Sequence, residues 1–195
     1  MKKIVSNNFY NNYTNVIKKL SKKDNNYNWI NGNNFLGQNG TRKKFIRPIG
    51  LDKNIARENL LLIKKILDKN NIFFYLVCGT LLGAVRDKDF IDDDNDTDIC
   101  IFLKDLPKLV LCVPELMKNG LIPLRINEKE VSFVKNNEYI DIEFLNEETK
   151  FTNSFDKINF CGEEFNIPNN IDEYLTQCYG NWKVKSNNHT WVLPK

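Results

Sequence analysis

Apolar residues recur at Ile55, Leu60, Leu61, Ile63, Ile66 and Leu67, a spacing that lays one stripe along a helix. The pattern predicts an amphipathic helix from Asn54 to about Lys69, with Asp52 as its N-cap. The period then shortens. The run NNIFFYLVCG reads as a turn followed by a short buried strand ended by Gly79, and a short helix is expected from Thr80 through LLGAVR. TDICIFL (97–103) alternates into a second strand. Asp105 to Asn119 is helical, with Pro107 in its first turn, an irregularity at Pro114 and a stop at Gly120. Three short strands follow at 121–126, 130–135 and 139–145, the last two joined by an Asn-Asn turn. Residues 157–167 read as a hairpin about Cys161-Gly162, and IDEYLTQCYG as a closing helix stopped by Gly180. Residues 1–48 show no period, and 31–40 read as loop. Helix, strand, helix, strand, helix and then mostly antiparallel strands predict an α/β (α+β) fold, a small mixed sheet with helices packed on one face.

Composition changes this picture in one respect. The 195 residues and thirteen Phe suit a single domain with one core, but charge is unevenly spread. Residues 1–48 hold ten Lys/Arg and one acid, Asp24, whereas 49–195 hold eighteen Lys/Arg and 24 Asp/Glu. A basic, Asn-rich, partly ordered segment (1–48) is therefore expected to precede an acidic body (49–195). A basic lead can bind nucleic acid; a solvated segment in an Asn-rich chain is the simpler reading, and a nucleic-acid partner is not expected.

The five cysteines, Cys78, Cys100, Cys112, Cys161 and Cys178, form no CxxC pair. They read as small core residues of a reducing compartment and not as a disulfide frame or zinc site. The N-terminus lacks an apolar h-region, and no apolar run approaches 18 residues, so neither a signal peptide nor a membrane span is expected and the location reads as cytoplasmic. His189 is the only histidine, which excludes a His-dependent triad. Trp29, Trp182 and Trp191 read as covers for core edges.

The window CGTLLGAVRDKDFIDDDNDTDICI (78–101) carries the chemistry. A strand ending in Gly79-Thr80 and turning into a helix offers backbone N–H groups and a helix dipole to an anion. Gly79 admits close approach, Thr80 adds a hydroxyl, Gly83 lets the helix pack closely, and Arg86 is a candidate cation. About sixteen residues on, the acids Asp92, Asp93, Asp94, Asp96 and Asp98 reach the start of a strand. Residues two apart on a strand share a side, so Asp96 and Asp98 converge and Asp94 extends the row. Converging carboxylates repel unless a cation joins them, and Mg²⁺, or Mn²⁺, is the natural candidate. Asp141 lies mid-strand between Ile140 and Ile142, where a carboxylate is costly without a partner. An acidic run is ordinarily a solvated loop; the Gly-Thr turn upstream and Asp141 downstream argue otherwise. An EF-hand loop is excluded by Ile99 at its glycine position and Asp105 at its final glutamate position.

The string CGTLLGAVRDKDFIDDDNDTDI resembles the LicD/fukutin family, whose members carry a G-T-L-L-G-x-x-R block, a Phe-Ile step and a D-x-D-x-D cluster. Tyr139-Ile140-Asp141-Ile142 is similar to the family's later hydrophobic-Asp-hydrophobic strand, and Tyr179-Gly180-Asn181-Trp182 to its YG-x-W element. The resemblance spans roughly residues 54–185 and departs at Asp92-Asp93, where the family usually has Pro-Trp. It implies a nucleotidyltransferase-type fold and transfer of phosphocholine, ribitol phosphate or glycerol phosphate from a CDP-activated donor to a glycan hydroxyl. Asp96, Asp98 and Asp141 would be the metal ligands, Asp141 or Asp94 the general base, and Gly79, Thr80, Gly83 and Arg86 the donor-binding residues. Two other outcomes stay open on the same residues: nucleotidyl transfer from an NTP, and a non-catalytic nucleotide- or RNA-binding module. The sequence leaves the oligomeric state undetermined.

Overall fold

The computed structural model describes residues 50–126, 129–145 and 148–185, with the backbone of Phe35–Leu36 and Arg42–Lys43, which pair as a short antiparallel ladder. The remainder of the basic N-terminal segment, with Trp29, His189 and Trp191, lies outside the described residues.

Helix α1 (Lys53–Lys69) starts where its cap predicts. The Asp52 carboxylate accepts from the amides of Asn54 at 3.0 Å and Ile55 at 3.2 Å, satisfying N–H groups that have no partner within the helix. Its stripe of Ala56, Leu60, Ile63 and Leu67 is fully buried. Strand β1 (Phe74–Leu76) leads into helix α2 (Cys78–Leu82), which continues as a π-helical turn over Gly83–Asp87. The helix starts two residues earlier than the sequence suggests. Val77 is extended and Cys78 has φ +49°, so the chain turns before Gly79; the unbroken apolar run gives no sign of that corner.

Strand β2 (Thr97–Phe102), helix α3 (Leu106–Lys118) and strands β3 (Ile122–Ile126), β4 (Glu130–Lys135) and β5 (Glu138–Leu145) complete the main sheet. Its order is β1-β2-β5-β4-β3, with β2 and β5 parallel and the other neighbours antiparallel. A parallel pair needs a long crossover, here supplied by α3, β3 and β4. Strands β6 (Phe155–Phe160) and β7 (Glu163–Pro168) form a separate hairpin, one or two residues longer at each end than its pattern predicts. The Asn166 side-chain amide ties this hairpin to β1 by donating to the Phe74 carbonyl at 2.8 Å. Helix α4 (Ile171–Tyr179) follows. The architecture is α+β, as the element order implies.

Alternation divides the main sheet. Phe74, Leu76, Ile99, Ile101, Val131, Phe133, Ile140 and Ile142 join α1 and α3 in the principal core. The intervening positions face the other way and form two small apolar clusters, one around Tyr75, Val77 and Cys100, the other around Leu124, Val134 and Tyr139. Asp98, Asp141 and Glu143 occupy the same alternate positions of β2 and β5.

Candidate metal and active site

Parallel pairing sets Asp98 of β2 opposite Asp141 of β5. Asp96 precedes β2 by one residue and Asp98 follows it by two, which places them on one side. One carboxylate oxygen from each of Asp96, Asp98 and Asp141 lies within 4.8 Å of the others, and the residues are only 9%, 8% and 4% exposed. Burial, then the facing carboxylates of Asp96, Asp141, Asp94 and Glu143, push the Asp98 carboxyl well above the usual carboxylate range. Among the described residues no hydrogen bond reaches that carboxylate. A buried cluster of hard oxygen donors whose members repel one another fits a divalent cation of the magnesium or manganese type.

The backbone around Asp98 is held firmly. Its amide donates to Thr80 Oγ1 at 2.8 Å, and its carbonyl accepts from the Val77 amide at 3.4 Å. Thr80 is 1% exposed, so its hydroxyl locks the start of α2 to the strand that carries the aspartates. Gly79 faces Asp94: a Cβ at that position would run into the Asp94 carboxylate. Gly83 answers a different contact, since a Cβ there would sit 2.5 Å from the Asp89 carbonyl oxygen and 3.1 Å from the Ile91 amide. The two glycines therefore let the 88–96 loop fold tightly onto α2. Phe90 anchors that loop in the core, 1% exposed and edge-on to Phe160 at 5.0 Å.

The acidic run divides into two sets with different partners. Asp92 pairs with Lys53 at 2.6 Å, and Asp89 pairs with Lys53 at 3.1 Å and Arg57 at 3.5 Å, tying the loop to α1. Asp94, half-buried, adds its charge to the field around Asp98, while Asp93 is exposed. Arg86 lies apart from the aspartate cluster's partners. It forms a two-point pair with Asp87, at 2.9 and 2.8 Å, and donates to the Trp182 carbonyl at 3.5 Å. It thereby clips the π-turn to the C-terminal Gly180–Trp182 segment. Trp182, 8% exposed, packs in the core as its expected role requires.

Three neighbours of the site were absent from the sequence-based list. Glu143 lies two residues beyond Asp141 and therefore on the same side, a relation strand alternation already contained. Burial raises its carboxyl above the usual range, against the opposing pull of the Cys78 thiol. Cys78 donates to Glu143 Oε1 at 3.3 Å; its apolar surroundings in sequence pointed to the core, yet it is part-exposed beside carboxylates. All five cysteines are free. Tyr179, in the closing Tyr-Gly-Asn-Trp element, has its phenol pushed well above the ordinary tyrosine range by burial and then by Cys78, Asp98, Cys178 and Asp94, so the hydroxyl keeps its proton. No helix among the described residues is long and apolar enough to cross a membrane.

Residues 71–154 match the family model described as the LicD/FKTN/FKRP nucleotidyltransferase domain. Two ribitol-5-phosphate transferases FKTN, from Macaca fascicularis and Homo sapiens, are 29% and 28% identical over 163 residues, covering 70% of this chain and 35% of each relative. The chain thus spans about a third of the length of these curated relatives. Among solved structures, the lincosamide antibiotic adenylyltransferase LnuA superposes with a TM-score of 0.47 at 14% identity, covering 60% of this chain and 83% of that one.

Proposed function

We propose that this chain, which carries a nucleotidyltransferase domain of the LicD/FKTN/FKRP family over residues 71–154, transfers a phospho-alcohol unit from a CDP-activated donor to a glycan hydroxyl with the help of Mg²⁺ or Mn²⁺. Ribitol phosphate leads the candidates because ribitol-5-phosphate transferases are among the relatives; phosphocholine and glycerol phosphate are the alternatives. The observation that carries the reading is the convergence of Asp96, Asp98 and Asp141 within 4.8 Å on a buried sheet face, inside the segment that matches the family.

Asp96, Asp98 and Asp141 would hold the cation. When bound, it would offset the charge of the donor diphosphate and of the departing nucleotide oxygen. Thr80 keeps Asp98 in place through the amide it accepts. Backbone amides at the Gly79–Thr80 turn would receive phosphate oxygens. Asp94 is the better placed base for an acceptor hydroxyl, being half-buried at the edge of the cluster, whereas Asp141 is enclosed mid-strand. Tyr179 would supply a protonated hydroxyl near Asp94 and Asp98 as a hydrogen-bond donor. Arg86, held by Asp87 and the Trp182 carbonyl, would act by positioning the helix rather than by touching the donor.

The test is CMP release from CDP-ribitol, CDP-glycerol and CDP-choline with sugar acceptors and Mg²⁺ or Mn²⁺, alongside pyrophosphate release from the four NTPs. Metal-dependent CMP release that disappears in Asp96→Ala/Asp98→Ala is the expected result. Pyrophosphate release instead would make the protein a nucleotidyl transferase. If neither product forms and calorimetry finds no Mg²⁺ or nucleotide binding, the enzyme reading fails.

A further inference from the structure

Asp98 belongs to a second group of ligand-type atoms. The sulfur of Cys78, an oxygen of Asp98 and an oxygen of Glu143 also lie within 4.8 Å of one another. This group differs from the aspartate trio in chemistry, because one of its three donors is sulfur. At rest the thiol donates to Glu143 at 3.3 Å. The Asp98 carboxylate, 8% exposed, receives no hydrogen bond among the described residues and lies between the two groups. A tetrahedral ion with bonds of about 2.3 Å to sulfur and about 2.1 Å to oxygen separates its ligands by roughly 3.5 Å. The Cys78 sulfur and Glu143 Oε1, 3.3 Å apart, already stand near that spacing, and the Asp98 oxygen is within 4.8 Å of both ligand groups.

We propose that Cys78, Asp98 and Glu143 form a second cation seat that takes a thiolate-accepting divalent ion of the zinc class, next to the all-oxygen seat and sharing Asp98 with it. Thiolate donors favour softer ions over magnesium, so the two seats differ in preference. Binding replaces the S–H bond of Cys78 with a sulfur–metal bond; the proton leaves to solvent, and the Glu143 oxygen that accepted it turns to the ion. Three protein ligands leave a fourth position open. The seat requires no turnover, so it stands or falls separately from the transferase reading.

The probe is Cd²⁺, titrated into the chelator-treated full chain and followed by the ultraviolet charge-transfer band of a cadmium–thiolate bond. One equivalent should produce the band in the wild type, and saturating Mg²⁺ should leave it standing. Cys78→Ser should lack it. So should Cys78→Gly, which suits the φ of +49° at this position and guards against loss of signal through misfolding. Glu143→Gln should weaken cadmium binding by about tenfold or more. Asp96→Ala, which breaks the all-oxygen seat, should keep the band. Absence of the band in the wild type, or its survival in Cys78→Ser, overturns the proposal. Its loss in Asp96→Ala would merge the two seats into one and overturn it as well.

Discussion

The two faces of the main sheet are built from the same strands, one residue out of step, and they are held by opposite physics. On one face Ile99, Ile101, Ile140 and Ile142 are fully buried against α1 and α3, and burying each such side chain contributes roughly 1.5–3 kcal/mol. On the other, Asp98, Asp141 and Glu143 stand at the alternate positions, where desolvation and mutual repulsion work against the fold. The first face stabilises the sheet; the second spends part of that stability to hold carboxylates together. The cost is tolerable because backbone contacts, not side-chain salt bridges, fix Asp98: the Thr80 hydroxyl and the Val77 amide grip its main chain while its carboxylate stays available. Asp87 shows the other way to enclose an acid. It sits at 11% side-chain exposure, fully engaged by Arg86 at 2.8 Å, and its carboxyl is held below the usual range chiefly by that hydrogen bond.

Ile140→Asp breaks the contrast most severely, by putting a carboxylate on the core face with no cation to meet it. The expected cost exceeds about 5 kcal/mol, comparable to the stability of a small domain, and far-ultraviolet circular dichroism should find the chain unfolded. Asp98→Asn attacks the other face. CMP release should fall by about a thousandfold, while the melting temperature in chelator stays level or rises. Mg²⁺ at a hundred times its Kd should stabilise the wild type by about 2.7 kcal/mol and leave this variant unmoved; a drop in metal-free stability would refute the idea that the face is a burden. Thr80→Val strips the buried Asp98 amide of its acceptor, at about 1–3 kcal/mol. Calorimetric unfolding should show that loss, together with weaker Mg²⁺ binding. The smallest effect separates the two kinds of acid. Because the fold depresses the Asp87 carboxyl, its contribution is present above the unfolded value of about 3.9 and fades as pH falls through the folded one. Melting curves of wild type and Asp87→Asn should therefore differ at neutral pH and converge in acid.

Periodicity was enough to find the frame. The helical stripe of α1, its Asp52 cap and the alternation of TDICIFL and YIDIEFL all have local physical causes, and the pairing of Asp96 with Asp98 follows from strand geometry alone. Asp141 was legible because a carboxylate between two isoleucines needs a reason to be there. Glu143 was equally accessible by counting two residues on, since it too lies between apolar neighbours, Ile142 and Phe144. Cys78 was hidden by composition: an apolar run looks the same whether its last residue enters the core or turns the corner at φ +49°. Partner choice was hidden for a different reason. Arg86 has acids at 87, 89, 92, 93, 94, 96 and 98 to select from, and only the folded turn decides for Asp87. The division of the acidic run between Lys53 and the sheet interior likewise depends on where α1 lies, which no local pattern encodes.

Parallel pairing of β2 with β5 brings together residues 98 and 141 across an intervening helix and two strands. Slipping β5 by one position would set Ile140 or Ile142 opposite Asp98 and turn Asp141 into the hydrophobic layer, so each misaligned register is penalised on both faces at once. A cation that needs all three aspartates would bind the correct alignment alone. With such a cation, the geometry of the three aspartates would double as a proofreading device for strand assembly, favouring the one register in which the chain is both packed and equipped.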